Sequence, residues 1–151
     1  MADEEMLPST DLVLGIKRAM AELANTVMTA QEVTQADNAG SQIEYPLIVV
    51  QLPIKNDTAD YRNAQVGRYT AEVDLYWPAG EQFDLLDTLD EAENTLKRLP
   101  LYQHPCMYVR GTASRTQPVT DTTTAVTLLH GTISLTYQIY EIYLTGGKVN
   151  G

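Results

Sequence analysis

Five carboxylates, Asp84, Asp87, Asp90, Glu91 and Glu93, recur within one short stretch of the chain. On a helix, residues three and four apart share a face, an arrangement that a hard cation or an acid–base pair could use. Hard-cation loops also supply turn glycines and backbone carbonyl ligands. None are interleaved here, so the run reads as a solvated helix face. His104 and His130 are the only histidines. A zinc site needs more ligands, or two histidines one helical turn apart, so each reads as a hydrogen-bonded or surface histidine. Cys106 is the only cysteine. It opens an apolar stretch and reads as a small buried hydrophobe, and its solitude excludes an intrachain disulfide and a cysteine-based metal cage. The chain contains no G-x-S-x-G, no G-x-x-x-x-G-K-[ST] and no G-x-G-x-x-G, the motifs of a nucleophile elbow, a P-loop and a dinucleotide site. The expectation is a protein that is not an enzyme, with no catalytic residues, no cofactor and no metal.

The tyrosines point elsewhere. Tyr137, Tyr140 and Tyr143 crowd one apolar run, Tyr69 and Tyr76 lie on another, and Tyr61 falls in a polar stretch between strands. Tyrosine offers a large amphipathic surface for little entropy, which suits protein–protein interfaces. Cross-strand packing accounts for part of the set. Tyr140, Ile142 and Leu144 form an apolar row beyond Gln138 that needs a partner surface, because an exposed strand of that kind invites aggregation.

The elements that must position these residues can be read from periodicity. Leu12, Ile16, Met20, Leu23 and Val27 recur at helical spacing, so an amphipathic helix is expected from about Thr10, capped by Ser9 or Thr10, to between Met28 and Glu32. Asp11 places a carboxylate in its first turn, where the helix dipole favours it. Residues 34–42 read as a polar turn. Residues 45–52, YPLIVVQL, are apolar on both faces, as in a doubly covered strand, with Pro46 at the start. Residues 54–65 read as a long polar loop. Residues 66–77, VGRYTAEVDLYW, alternate cleanly, with Tyr69, Ala71, Val73, Leu75 and Trp77 on one face. A second helix follows from about Glu81 to Leu99, with a stripe of Leu85, Leu89, Ala92, Leu96 and Leu99 that Phe83 and Leu86 widen. A short strand over residues 106–110 and a threonine-rich loop over 111–124 lead to a final run, residues 126–144. That run is about three times the usual strand length, so it either bends at Gly131 or reaches beyond the fold.

The expected order is α-β-β-α-β-β: an α+β fold with a mixed or antiparallel sheet of about four to five strands and two helices on one face. Residues 1–151 are read as one such domain, with residues 1–9 and 145–151 as a flexible lead and tail. The chain is 44% hydrophobic and 20% charged, a globular balance. No apolar run approaches the roughly 18–20 residues needed to span a bilayer, so no membrane partner is expected. The acidic start, MADEEM, lacks the basic character of a targeting segment, which implies a protein that stays where it is made. The net charge is −10 at pH 7. Because the basic residues are scattered, direct binding to a phosphate backbone is not expected.

An amphipathic helix, two strands, a helix before a short strand, a second long loop and a final strand ending LTYQIYE together give a layout that resembles the tail terminator (tail-completion) proteins of long-tailed bacteriophages. The resemblance covers nearly the whole chain. It implies a structural virion protein: a homohexameric ring at the head-proximal end of the tail tube, made in the host cytoplasm, that ends tube polymerisation and joins tail to head. The implied partners are further copies of the chain, the tail tube protein and a neck or head–tail connector protein. DNA would pass through the lumen without specific binding, which suits an acidic lining. On this reading Tyr61 and Arg62 of the first loop and Arg115 and Asp121 of the second contact neighbours, while Tyr140, Ile142 and Leu144 meet the next subunit. Another neck or head–tail adaptor protein, or a small α+β ligand-binding or regulatory domain, fits the same element order.

Overall fold

Pro8 opens the first helix, α1 (Pro8–Met20), where its missing N–H forfeits nothing and its fixed φ suits the first turn. Leu7, not Ser9 or Thr10, is the N-cap, so the helix starts inside the expected flexible lead. It also ends earlier than the spacing suggests. The computed structural model describes residues 6–61, 64–122 and 126–143, and within them the chain after Met20 turns into a short strand, β1 (Thr26–Thr29). The next helix, α2 (Ala30–Asn38), begins with a reciprocal capping box. The Thr29 hydroxyl accepts the Glu32 N–H while the Glu32 carboxylate accepts the Thr29 N–H. This helix occupies most of the stretch expected to be a polar turn. It carries the chain to β2 (Leu47–Val50), which runs parallel to β1, as a crossover connection allows.

All four residues of β2 are buried, as the two-faced apolar run implies. The segment read as a polar loop is instead β3 (Ile54–Tyr61), paired antiparallel with β4 (Ala64–Pro78). An edge strand can be polar on both faces because hydrogen bonds, not burial, hold it. The inner face of β4 is as expected: Tyr69, Ala71, Val73, Leu75 and Trp77 are all buried. Helix α3 (Gln82–Leu96) buries Leu85, Leu89, Ala92 and Leu96, and Leu99 is buried just beyond it. Phe83 and Leu86 do not widen that stripe; they face solvent.

The remaining strands are β5 (Cys106–Tyr108), β6 (Ser114–Arg115), β7 (Val119–Asp121) and β8 (Leu128–Tyr143). β6 and β7 form within the stretch expected to be a loop. The fold is therefore α+β, with three helices and one mixed sheet of eight strands among the described residues. The extra strands beyond the expected four or five are the eight-residue edge strand β3 and the short pieces β1, β6 and β7. β4 and β8 are the spine. β8 pairs with β4 on one side, from Leu128 opposite Pro78 to Tyr143 opposite Ala64, and with β5, β6 and β7 on the other. Pairing runs through Gly131 without a shift; the one irregularity lies at Gln65/Val66. β8 thus neither breaks at Gly131 nor leaves the sheet, because β4 follows it throughout. Its alternation holds, with Ile133, Leu135, Tyr137 and Ile139 buried.

One core cluster joins α1, through Leu12, Ile16 and Met20, and α3 to the inner faces of β2, β4 and β8. The two helices expected on one face are these. At roughly 3.3 Å per residue β8 is about 50 Å long, whereas α3 at 1.5 Å per residue is about 22 Å. The two-stranded spine therefore outruns the helices packed on it.

Candidate assembly surface

The long spine ends in the β3–β4 hairpin. β3 pairs with residues 64–70 of β4, and its side chains from Ile54 to Thr58 are exposed. Ile54 is 66% exposed and Leu52 beside it 71%. Tyr61 lies at the end of β3, its backbone opposite Ala64; Arg62 lies outside the described residues. Ile142 pairs through its backbone with Gln65, and Tyr140 with Val66. The Tyr140 N–H donates to the Pro105 carbonyl at 3.0 Å, and its side chain is half-buried. Leu144 is outside the described residues. Tyr61, Tyr140 and Ile142 are thus brought to one end of the sheet.

A buried carboxylate stiffens that end. Glu141 is only 7% exposed; it accepts a hydrogen bond from the Tyr69 hydroxyl and an ion pair from Lys55 Nζ at 3.1 Å. The space it fills exists because residue 67 is glycine: a Cβ there would collide with the carboxylate. Burial and the Glu141 bond together push the Tyr69 phenol well above its ordinary pKa, so it remains a donor.

Arg115 and Asp121 lie elsewhere, on the far edge of β8. Arg115 does not extend outward. Its guanidinium pairs with Asp90 at 2.7 Å and with Glu93 at 3.2 Å, tying β6 to α3. Two of the clustered carboxylates therefore brace the chain's own fold, and a third, Asp84, accepts the Trp77 indole N–H at 2.7 Å. Asp121 is half-buried, opposite Leu128.

Both histidines are held by aspartates. Asp11, fully buried in the first turn of α1, accepts the amide N–H groups of Tyr102, Gln103 and His104 at 2.8–2.9 Å and bonds the His104 ring at 2.7 Å. Burial alone would raise its pKa, but the His104 bond and the three amides outweigh it and hold the carboxyl below the usual range. Sequence spacing gives Asp11 a dipole role only; its partners lie more than ninety residues away. Asp74, on the outer face of β4 yet buried, takes the His130 ring at 2.8 Å, the Thr132 hydroxyl at 2.7 Å and the Gln51 amide at 2.6 Å. Tyr76 stacks on His130 with ring centroids 4.3 Å apart. Burial pushes the Cys106 thiol up to about 12, with Asp11 adding to the shift, so it is not poised as a thiolate. Among the described residues no three His, Cys, Asp or Glu side chains converge as metal ligands would. No helix among them is long and apolar enough to cross a membrane.

The sequence matches no family model and no curated protein. Several solved structures are similar in fold, two of which follow. One is a chain of the virion of a native gene transfer agent (GTA) particle, 8% identical over 90% of this chain and 95% of that one, with a TM-score of 0.48. The other is 17% identical over 87% of this chain and 96% of that one, with a TM-score of 0.47.

The helix layer presents two further features that periodicity does not single out. Met6, Leu14, Lys17, Arg18 and Tyr102 line an open cleft of about 430 Å³ beside α1. The Arg18 guanidinium lies 3.8 Å from the Tyr102 ring centroid and donates to the Pro100 carbonyl at 2.9 Å. On α3, Phe83, Leu86, Asp87 and Asp90 form an exposed ridge opposite the buried stripe, at the spacing of one helix face.

Proposed function

We propose that this chain is a structural virion protein, a tail terminator whose copies form a homohexameric ring at the head-proximal end of a phage tail tube. There it ends tube polymerisation and offers the surface to which the head is joined, while DNA passes through the lumen without specific binding. What supports the reading most is the hairpin end of the sheet. A spine longer than the helices packed on it carries the edge strand β3, and at the base of that strand Ile54, with Leu52 just before it, stands exposed. Apolar residues on an unshielded edge strand are an association hazard unless another chain covers them. Glu141 and Lys55 keep this end stiff, as an assembly contact requires. The hairpin whose first strand ends at Tyr61 is the element that reaches the tube or neck, and the backbones of Tyr140 and Ile142 lie next to it. The net charge of −10 suits a lumen that must let a polyanion slide through.

The test is assembly without the chain. Particles made in its absence should carry tails of uncontrolled length and unattached heads, and a tagged copy should label the head-proximal tail end. Tails of normal length joined to heads, with the tagged chain absent from purified particles, would overturn the reading.

A further inference from the structure

The cleft beside α1 is apolar with a basic rim, and the ridge on α3 is apolar with acidic neighbours. We propose that Phe83 and Leu86 of one copy seat in the α1 cleft of a second copy, with Asp87 meeting Arg18. This rests on the ring reading above and names the contact between neighbouring subunits. Phe83 is 73% exposed, an aromatic side chain that the monomer leaves in water. The cleft it would enter is apolar at Met6 and Leu14, and at about 430 Å³ it lies within the range that accepts a ligand-sized group.

Charge selects the occupant. Among the described residues Arg18 forms no ion pair, and neither does Asp87, whereas Lys17 is paired with Glu32. Lys17–Arg18 is one of only two adjacent basic pairs in the chain. Copies that each carry a net charge of −10 repel at a distance, so a contact between them has to match a scarce cation to a carboxylate. The cleft and the ridge lie on different helices, which touch each other while α1 packs also toward β1 and β2 and α3 toward β4 and β8. Each copy can thus receive through α1 and insert through α3. Such a head-to-tail contact joins more than two subunits and closes into a ring when the rotation permits. An aromatic anchor set in a cleft, rimmed by a charge pair, is how helix-in-groove contacts concentrate their affinity.

Sedimentation velocity on the purified chain at high micromolar concentration tests the contact. Phe83→Ala should weaken association about thirtyfold, the size of a hot-spot truncation, with an unchanged melting curve because the side chain is exposed. Asp87→Lys and Arg18→Glu should each leave the chain monomeric. Their equimolar mixture should assemble again, because each variant then meets an opposite charge in the other. Arg18 also holds the Pro100 carbonyl, so Leu14→Gln serves as a second cleft variant with the same expected loss. Association that survives Phe83→Ala and Asp87→Lys would overturn the contact, and so would a monomeric wild type. Neither result touches the ring reading, which is decided separately by whether the tagged chain sits at tail ends.

Discussion

Replacing Asp11 with alanine removes the acceptor that three consecutive backbone N–H groups and the His104 ring share. The segment they belong to connects α3 to β5, so the loss loosens the tie between α1 and the edge of the sheet. Hydrogen bonds to a charged acceptor contribute about 1.5–3 kcal/mol each net of desolvation, and removing one partner of a buried pair costs about 3–5 kcal/mol. Tyr102 and Gln103 are exposed, so their amides regain water, which puts the expected loss near the lower bound, about 3 kcal/mol. For a domain of this length that is a fall in Tm of about 6–12 °C. Urea unfolding followed by circular dichroism measures it directly. The pH dependence has a definite sign. The carboxyl is held below its ordinary pKa in the folded chain, so its stabilisation is complete above the unfolded value, about pH 4, and is lost as pH falls through the folded value. The gap between wild type and Asp11→Ala should stay level from pH 5 to pH 8 and narrow below about pH 4. A loss under about 1 kcal/mol, typical of a surface substitution, or a gap that widens in acid, would refute the account.

Two further substitutions probe the spine. Tyr137→Phe deletes a buried hydroxyl that donates to the Leu96 carbonyl at 2.5 Å, leaving the end of α3 without that bond; a loss of about 1–2 kcal/mol in urea unfolding is expected. Gly67→Ala forces Glu141 from its place against Tyr69 and Lys55, with an expected loss of about 2 kcal/mol and faster amide hydrogen exchange at residues 64–70 than in the rest of β4.

The inner faces were legible because burial writes a period into the chain. Tyr69 to Trp77 alternates, Ile133 to Ile139 alternates, and Leu85, Leu89, Ala92 and Leu96 recur at helical spacing. What periodicity cannot report is pairing without burial. β3 is polar on every described side chain after Ile54, and β6 and β7 are only two and three residues long, so nothing in their composition separates them from loops. β1 was hidden for the opposite reason: Leu23 and Val27 continue the helical spacing of α1 across a boundary set by pairing with β2. The capping box of Thr29 and Glu32 was a readable start signal for α2. Of the residues expected at an interface, Tyr61, Tyr140 and Ile142 have their backbones at one end of the sheet, while Arg115 is an internal brace, since its partners on α3 lie more than twenty residues back in the chain.

The place of β8 between β4 and the three short edge strands also has a consequence for how the chain is made. Residues 128–143 fill the gap between partners that are synthesised earlier. Until they leave the ribosome, β4 presents a bare edge of fifteen residues and the apolar faces of α1 and α3 have no complete sheet to rest on. Closing that gap joins segments some sixty residues apart, a slow step for a chain of this kind. Nascent copies lying side by side on one message would then be at their stickiest just before β8 emerges, and a chaperone that shields β4 until then would raise the yield of folded chains.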